Sequence, residues 1–442
     1  MEFHSHTSPM NLRFFLFAVI AILVGKEQAV AQAYDYCIHD VNIISPEKAN
    51  PLSPAKDVFI ADGKIVKITP VAKTTPKDCK QTIEGKGKYL MAGLTDMHVH
   101  LPANATDTFL TLNLAAGVTS IRAMRGRPWQ LDVKKKIAAG ELLGPDLYVS
   151  TPYFPNKNIT IDKLDDTIAF YKQAGYDLVK VLAVPDSAYY EALMKAASKA
   201  HITVAGHWPW QVSIEHVIET GYDCIEHLQG LYESYIEDTS SVVRLAALLN
   251  KHHTWNCPSL DFYNVIYNQV PLEELKKRPG LDLVGKERLT DWTESVTKSM
   301  AKYNAGSGDS VIQKHKKWQK YMADKLALLK RMNDLKVPMI FSPADANDDF
   351  GVPGFCVWEE MKLYSKAGIP NKDILKMATY NAADYFHQTD SWGSVEVGRK
   401  ANMVLLDKNP LQAITNIEAQ QGVFIAGKYY TTSELKDKCR KL

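Results

Sequence analysis

Between residues 93 and 391 the chain alternates short apolar runs with longer amphipathic ones, and this alternation limits the fold more than any other feature. The runs are "LMAGLTDMHVH" (90–100), "GVTSIRAM" (117–124), "DLYVST" (146–151), "DLVKVL" (177–182), "ITVAGHW" (202–208), "DCIEHL" (223–228), "HTWNCPSL" (253–260) and "VPMIFSPAD" (337–345). Helical stretches such as "SAYYEALMKAASKA" (187–200) lie between them. Strands that alternate with helices pair in parallel. Eight such units predict an α/β fold, a (β/α)8 barrel of the TIM type. One interval breaks the rhythm. Residues 261–336, between the seventh and eighth runs, are helical and charge-rich, with a loose stretch at "NAGSGDS". An insertion there sits over the mouth of the barrel.

Both flanks of this region read as β. "DYCIHDVNII" (35–44) is strand-like, and "DVFIADGKIVKITP" (57–70) is a hairpin turning at Asp62-Gly63. Near the other end, "VEVGRKANMVLLD" (395–407) and "QGVFIAGKYY" (421–430) are strands, the second turning at Ala426-Gly427. The expected division is a small β-sandwich built from 34–92 together with 392–442, and a barrel over 93–391 carrying the 261–336 insertion.

Residues 1–33 read as an export signal. Arg13 precedes the apolar run "FFLFAVIAILV" (14–24), and Ala31-x-Ala33 supplies a small-residue cleavage site before Tyr34. The apolar run is shorter than the roughly 20 residues that span a bilayer. The expected product is periplasmic or secreted, with no membrane span in its mature part. Export permits disulfides. The six cysteines hold no C-x-x-C pair, and one bridge among Cys37, Cys79 and Cys439 is open. A net charge of +2 without a basic block excludes a nucleic-acid binder. A hydrophobic content of 46% supports a large core.

Barrel enzymes carry their chemistry at the C-terminal ends of the strands. Here the first run ends in His98 and His100, whose i, i+2 spacing places both on one face. The fourth holds Lys180, the fifth ends in His207, the sixth in His227 and the eighth in Asp345. Burying one such group without a partner costs several kcal/mol, so five strands doing so at one end argue for a shared purpose. Imidazole nitrogen and carboxylate oxygen are the donors that zinc prefers. Lys180 fits such a set if its neutral amine takes up carbon dioxide to become an anionic carbamate; an ion pair to Asp345 or Glu226 is its alternative use. Tyr232, just beyond the sixth run, is placed to polarise a carbonyl or to pack on the rim. Arg122 and Arg125 suit a substrate carboxylate or, more simply, a structural ion pair. His201, His216, His252 and His253 fall on helices or at the opposite end and receive no role.

Taken together, "GLTDMHVHL", the strand lysine, the two single histidines, the strand-eight aspartate and "NAADYFHQTDSWGSVEVGRKANMVLLDKNP" (381–410) resemble the amidohydrolase superfamily of metal-dependent hydrolases. "AGVTSIR", "GYDLVKV", "IEHL" and "GFCVWEEMKLYSKAG" resemble its imidazolonepropionase-like group, which includes Xaa-Pro dipeptidases. The resemblance implies that His98, His100 and Asp345 hold one divalent ion and His207 and His227 a second. It implies further that carbamylated Lys180 and a hydroxide bridge two divalent ions, zinc being the expected metal. Asp345 then takes the water's proton and passes it to the leaving nitrogen. The chain departs from the group at "PAD" (343–345), at Ala123 after Arg122, after "STPYFPN", and at Trp358 where histidine is common. These departures touch the substrate pocket and leave the metal ligands in place. The expected function is hydrolysis of an amide bond in a small molecule: a dipeptide, an N-acyl amino acid or a cyclic amide. An ester or lactone hydrolase, a mononuclear deaminase and a non-catalytic binding protein are the alternatives. A homo-oligomer stays open.

Overall fold

The computed structural model describes residues 1–2, 34–76, 78–155, 158–305, 308–344 and 348–442. All but the first two residues of the expected export signal lie outside the described residues, as does Asp345.

Strands from both ends of the chain meet in one mixed sheet. The N-terminal part supplies β1 (Tyr34–Ile43), β2 (Lys56–Ala61), β3 (Lys64–Pro70), β4 (Cys79–Glu84) and β5 (Tyr89–Ala92). The next seven strands are β6 (Leu94–Val99), β7 (Val118–Ala123), β8 (Asp146–Val149), β9 (Leu178–Val181), β10 (Thr203–Gly206), β11 (Cys224–Glu226) and β12 (Trp255–Cys257). The C-terminal part adds β13 (Met403–Leu406), β14 (Gln420–Ile425) and β15 (Lys428–Thr431). The mixed sheet runs β15-β14-β13-β5-β1-β2-β3, with β4 beside β1. The two ends join where β5 pairs antiparallel with β13, Leu90 opposite Leu405. Ile38, Val58, Ile60, Leu90, Met403 and Phe424 form its own buried cluster. The path is continuous through β1, which pairs with β2 and β4 along its first part and with β5 at Asn42 and Ile43. The hairpin turns fall at Asp62-Gly63 and Ala426-Gly427, with both positions of each turn at positive φ. Strand β13 is shorter than expected because Gly398 turns the chain at φ +92°. The chain also closes on a helix, Thr432–Cys439, started by a capping box between Thr431 and Glu434.

The middle region forms two parallel sheets, β6-β7-β8 and β9-β10-β11-β12. Each strand is followed by a helix, as parallel pairing requires. Single bridges link the sheets, Ser150 to Leu178 and Phe154 to Val181. The expected eighth strand is a correction: 337–345 forms no regular strand among its described residues. It makes one bridge, Asn256 to Met339, donates from Ile340 N to Asn256 O at 2.9 Å, and accepts backbone hydrogen bonds at Pro338 O from Asn256 N and at Phe341 O from Met97 N, each 3.0 Å, and at Pro343 O from Phe262 N at 3.3 Å. Pro338 and Pro343 explain this, since neither has an N–H to give a ladder. Side chains alternate as the pleat demands. In β9 and β11, Val179, Val181 and Ile225 join the large core shared with the helices, whereas Leu178 and Cys224 belong to a separate inner cluster with Met97, Ala205 and Ile340. Lys180 and Glu226 share the parity of that inner face.

The insertion is helical as expected, with Leu260–Ile266, Lys286–Tyr303 and the 27-residue helix Gly308–Asp334 as its main parts. Two residues of "NAGSGDS", 306 and 307, lie outside the described set. Among the described residues no helix is long and apolar enough to cross a membrane.

Candidate metal centre

His98 lies near the end of β6, 1% exposed. Its Nδ1 is 2.7 Å from Oε2 of Glu226 on β11. A carboxylate only accepts, so Nδ1 carries the proton and Nε2 keeps its lone pair for another partner. Glu226 is held in turn. Arg122 of β7 donates from Nη2 to its Oε1 at 2.6 Å and from Nε to Met97 O at 2.6 Å. The Cys224 thiol donates to the same Oε1 at 3.3 Å. Burial works against the Arg122 cation, but Glu226 outweighs it and holds the guanidinium pKa well above its ordinary value. Arg122 is therefore a structural partner of Glu226, not a substrate anchor. The backbone around His98 is fixed by Asp96: its Oδ1 accepts from His98 N at 3.3 Å and from Ser342 Oγ at 2.6 Å.

Three other imidazoles surround His98. His227 lies 4.7 Å away between ring centroids and His100 lies 5.7 Å away; His207 is 5.1 Å from His227. His100 is half-buried, its Nε2 3.3 Å from the Tyr153 hydroxyl. His207 follows Gly206, whose φ of +146° and whose near contact with Val181 O exclude a side chain. His227 and Leu228 both take positive φ, +62° and +59°, in the turn that leaves β11. The His227 ring is 4% exposed, and its Nδ1 has no hydrogen-bond partner among the described residues. Burial pushes its pKa well below the usual value, and the neighbouring His98, His207 and Lys180 push it further. It is thus neutral, with one ring nitrogen carrying the lone pair that a metal ion needs. Lys180 is 1% exposed on β9, its backbone N–H donating to Thr151 Oγ1 at 3.1 Å. Glu226, one of the two ion-pair partners considered for Lys180, is taken by His98 and Arg122.

A divalent metal suits these residues. The buried Nδ1 of His227 and the carboxylate-oriented imidazole of His98 are nitrogen donors of the kind a divalent ion takes. The described residues alone do not bring three His, Cys, Asp or Glu side chains to ligating distance of one point. The expected set also needs Lys180, which ligates only once carboxylated, and Asp345, which lies outside the described residues. The segment leading to Asp345 ends beside His98, with Ala344 N bonded to Ser342 Oγ at 2.9 Å.

Tyr232 stands further out, on the helix Leu231–Glu237. Its ring packs on Tyr321 at 4.8 Å, and burial pushes its hydroxyl up to about 12. Lys325 links it to the histidines: its Nζ lies over the Tyr232 ring at 5.5 Å and donates to His227 O at 2.7 Å. Asp96, Ser342 and Lys325 escaped the sequence reading, and Glu226 entered it only as an alternative ion-pair partner of Lys180, whereas the structure pairs it with His98 and Arg122. Asp96 and Glu226 could have been found, since each lies within two residues of a singled-out histidine on a buried strand.

Residues 89–429 match the model of the amidohydrolase family. A 67-residue stretch is 36% identical to an allantoinase of Desulfitobacterium hafniense (strain DSM 10664 / DCB-2), and covers 15% of this chain and 13% of that enzyme. The chain thus spans a small part of the length of the curated relatives it matches. Among solved structures, the bottromycin amidohydrolase superposes with a TM-score of 0.70 at 18% identity, covering 94% of this chain and 93% of the other. A Xaa-Pro dipeptidase with methionine bound in its active site gives 0.66 at 16% identity, covering 90% and 99%. At such identities the likeness is one of fold, α/β of the TIM-barrel type. The family match takes in most of the chain, both parallel sheets and all four histidines, and on that basis the chain belongs to the amidohydrolase family of enzymes.

Proposed function

We propose that this protein is an exported, binuclear metal-dependent hydrolase that cleaves a carbon–nitrogen amide bond in a small molecule such as a dipeptide, an N-acyl amino acid or a cyclic amide. The observation that carries the reading is the convergence of His98, His207 and His227 beside buried Lys180, with His98 oriented by Glu226. His98, His100 and Asp345 would hold one ion, His207 and His227 the other, and Lys180, carboxylated on Nζ, would bridge them. Bound there, two divalent ions, zinc by donor type, supply a water acidified towards neutrality and a polarised substrate carbonyl.

The chain's own residues do the rest. Glu226 keeps the His98 proton on Nδ1. Asp345 accepts a proton from the attacking water and returns it to the leaving nitrogen. Tyr232 is the candidate to orient the carbonyl oxygen. The two parallel sheets and the 337–344 segment support a barrel over 93–391, and the mixed sheet supports a second unit built from 34–92 and 392–442. Arg13, the apolar run 14–24 and Ala31-x-Ala33 support removal of 1–33 on export.

The test is hydrolysis of a library of dipeptides, N-acyl amino acids and cyclic amides by the mature protein loaded with zinc, with simple esters, lactones and amino-heterocycles alongside. Release of an amine from one amide class, abolished by His98→Ala, is expected. Ester or lactone turnover alone would replace the amide reading, and release of ammonia from an amino-heterocycle would replace it with a deaminase.

A further inference from the structure

The helical insertion touches the candidate metal centre through Lys325. This side chain is 2% exposed and comes from the middle of the helix Gly308–Asp334. Its Nζ donates to the main-chain carbonyl of His227 at 2.7 Å. Three aromatic faces enclose the rest of the ammonium: Tyr263 at 4.1 Å, Tyr321 at 4.9 Å and Tyr232 at 5.5 Å. The rings come from three helices, 231–237, 260–266 and 308–334, so the cation is the point where these helices are tied together. Burial works against the charged form and pushes the Lys325 pKa down to about 7, while the ring faces favour the cation; Nζ can donate to the His227 carbonyl in either form.

The carbonyl it grips belongs to an unusual turn. His227 and Leu228 are consecutive non-glycine residues at φ +62° and +59°. Such backbone persists only where its surroundings hold it. His227 N donates to Cys257 O at 2.7 Å and Tyr232 N donates to Leu228 O at 2.8 Å. The carbonyl between them is held by Lys325. The imidazole of His227 leaves the same residue, with Tyr263 standing edge-on to it at 5.8 Å.

We propose that Lys325 is a positioning residue for His227, so that the packing of helix 308–334 and the occupancy of the His227 metal site are coupled. The proposal rests on the reading of His227 as a metal ligand. Coupling of this kind is reciprocal: if the helix holds the ligand in place, a metal on the ligand holds the helix in place. The insertion then acts as a brace whose rigidity reports the state of the centre.

The experiment uses the full mature protein, stripped of metal, as wild type and as Lys325→Met. Methionine keeps the length of the side chain and removes the charge and the donor. Zinc is titrated against a chromophoric chelator, and amide hydrogen exchange over 308–334 is measured with and without zinc. Wild type is expected to bind two ions and to slow exchange in the helix on loading. Lys325→Met is expected to bind one ion as before and the other about 10–100-fold more weakly, with exchange in the helix no longer responding to zinc. If Lys325→Met binds both ions as wild type does, or its helix is protected by zinc to the same extent, the proposal is overturned and the hydrolase reading stands. If wild type binds no zinc, both fall. Should Lys325→Met not fold, Tyr263→Leu removes the nearest ring and keeps the lysine; a weaker second zinc site supports the coupling, and unchanged affinity overturns it.

Discussion

Replacing Glu226 by glutamine separates the two things this residue does. In the native protein both carboxylate oxygens are engaged, Oε2 by His98 Nδ1 at 2.7 Å and Oε1 by Arg122 Nη2 at 2.6 Å, and both Glu226 and Arg122 are 0% exposed. An amide has one acceptor oxygen and one donor nitrogen, so it keeps either the bond from Arg122 or the Nδ1–H tautomer of His98, but not both. The guanidinium is left in the interior without a counter-charge, since Nε reaches only a carbonyl and Nη1 has no partner among the described residues. Breaking a buried pair from one side costs about 3–5 kcal/mol. Glutamine keeps the shape and one hydrogen bond, which places the expected loss near the lower end, about 3 kcal/mol. Loss of the orienting carboxylate adds a 10–100-fold loss of metal affinity, about 1.4–2.8 kcal/mol. The assay is urea unfolding of the metal-free protein, read as a shift of midpoint at constant slope, followed by zinc titration. Lys199→Met is the control: it cuts a pair with Asp165 that is as short, 2.6 Å, but solvent-exposed, and is expected to leave the midpoint unchanged. If Glu226→Gln unfolds at the wild-type midpoint and binds zinc with wild-type affinity, the network argument is wrong.

Three further outcomes are expected. Lys180→Met should leave one ion bound per chain and lower kcat/KM on the best amide substrate by at least about 100-fold, because bridging metal chemistry contributes several kcal/mol; metal analysis and steady-state kinetics check this. Gly206→Ala should destabilise the protein by about 2–4 kcal/mol, combining positive-φ strain with the collision against Val181 O; a denaturation midpoint measures it, and zinc titration should show a weakened His207 site. Burial pushes Glu360 up to about 8, above the 4.5 of an exposed glutamate, despite its bonds from Leu260 N and Asp261 N. Between these values the folded protein keeps a proton that the unfolded chain has lost. The stabilisation is full below pH 4.5 and disappears as pH rises through 8, with a slope of up to about 1.4 kcal/mol per pH unit. Glu360→Gln should flatten that slope in urea titrations at successive pH values; an unchanged slope contradicts the assignment.

Much of the middle of the fold can be read from the sequence because seven apolar runs are bounded by helical periodicity and pair as their order suggests. The eighth run fails for a local reason: apolar content suggested a strand, while Pro338 and Pro343 withhold the donors that a ladder needs. The C-terminal helix was overlooked in a segment read as β, although Thr431 and Glu434 carry the spacing of a capping box. The histidines stand out because an imidazole at the end of an apolar strand demands a reason. Glu226, Asp96 and Arg122 do not stand out in the same way, since their partners are chosen by strand register across 128, 246 and 104 residues of chain. Lys325 is less legible still. Nothing in an amphipathic helix rich in lysine distinguishes the one that turns inward under three tyrosines.

The most direct test of the central claim is the metal content of the purified mature protein, prepared without chelator and with bicarbonate present, together with the mass of the peptide region around Lys180 under conditions that preserve a carbamate. The account predicts two divalent ions per chain and a carboxylated Lys180. One ion or none, with a bare lysine, would contradict it.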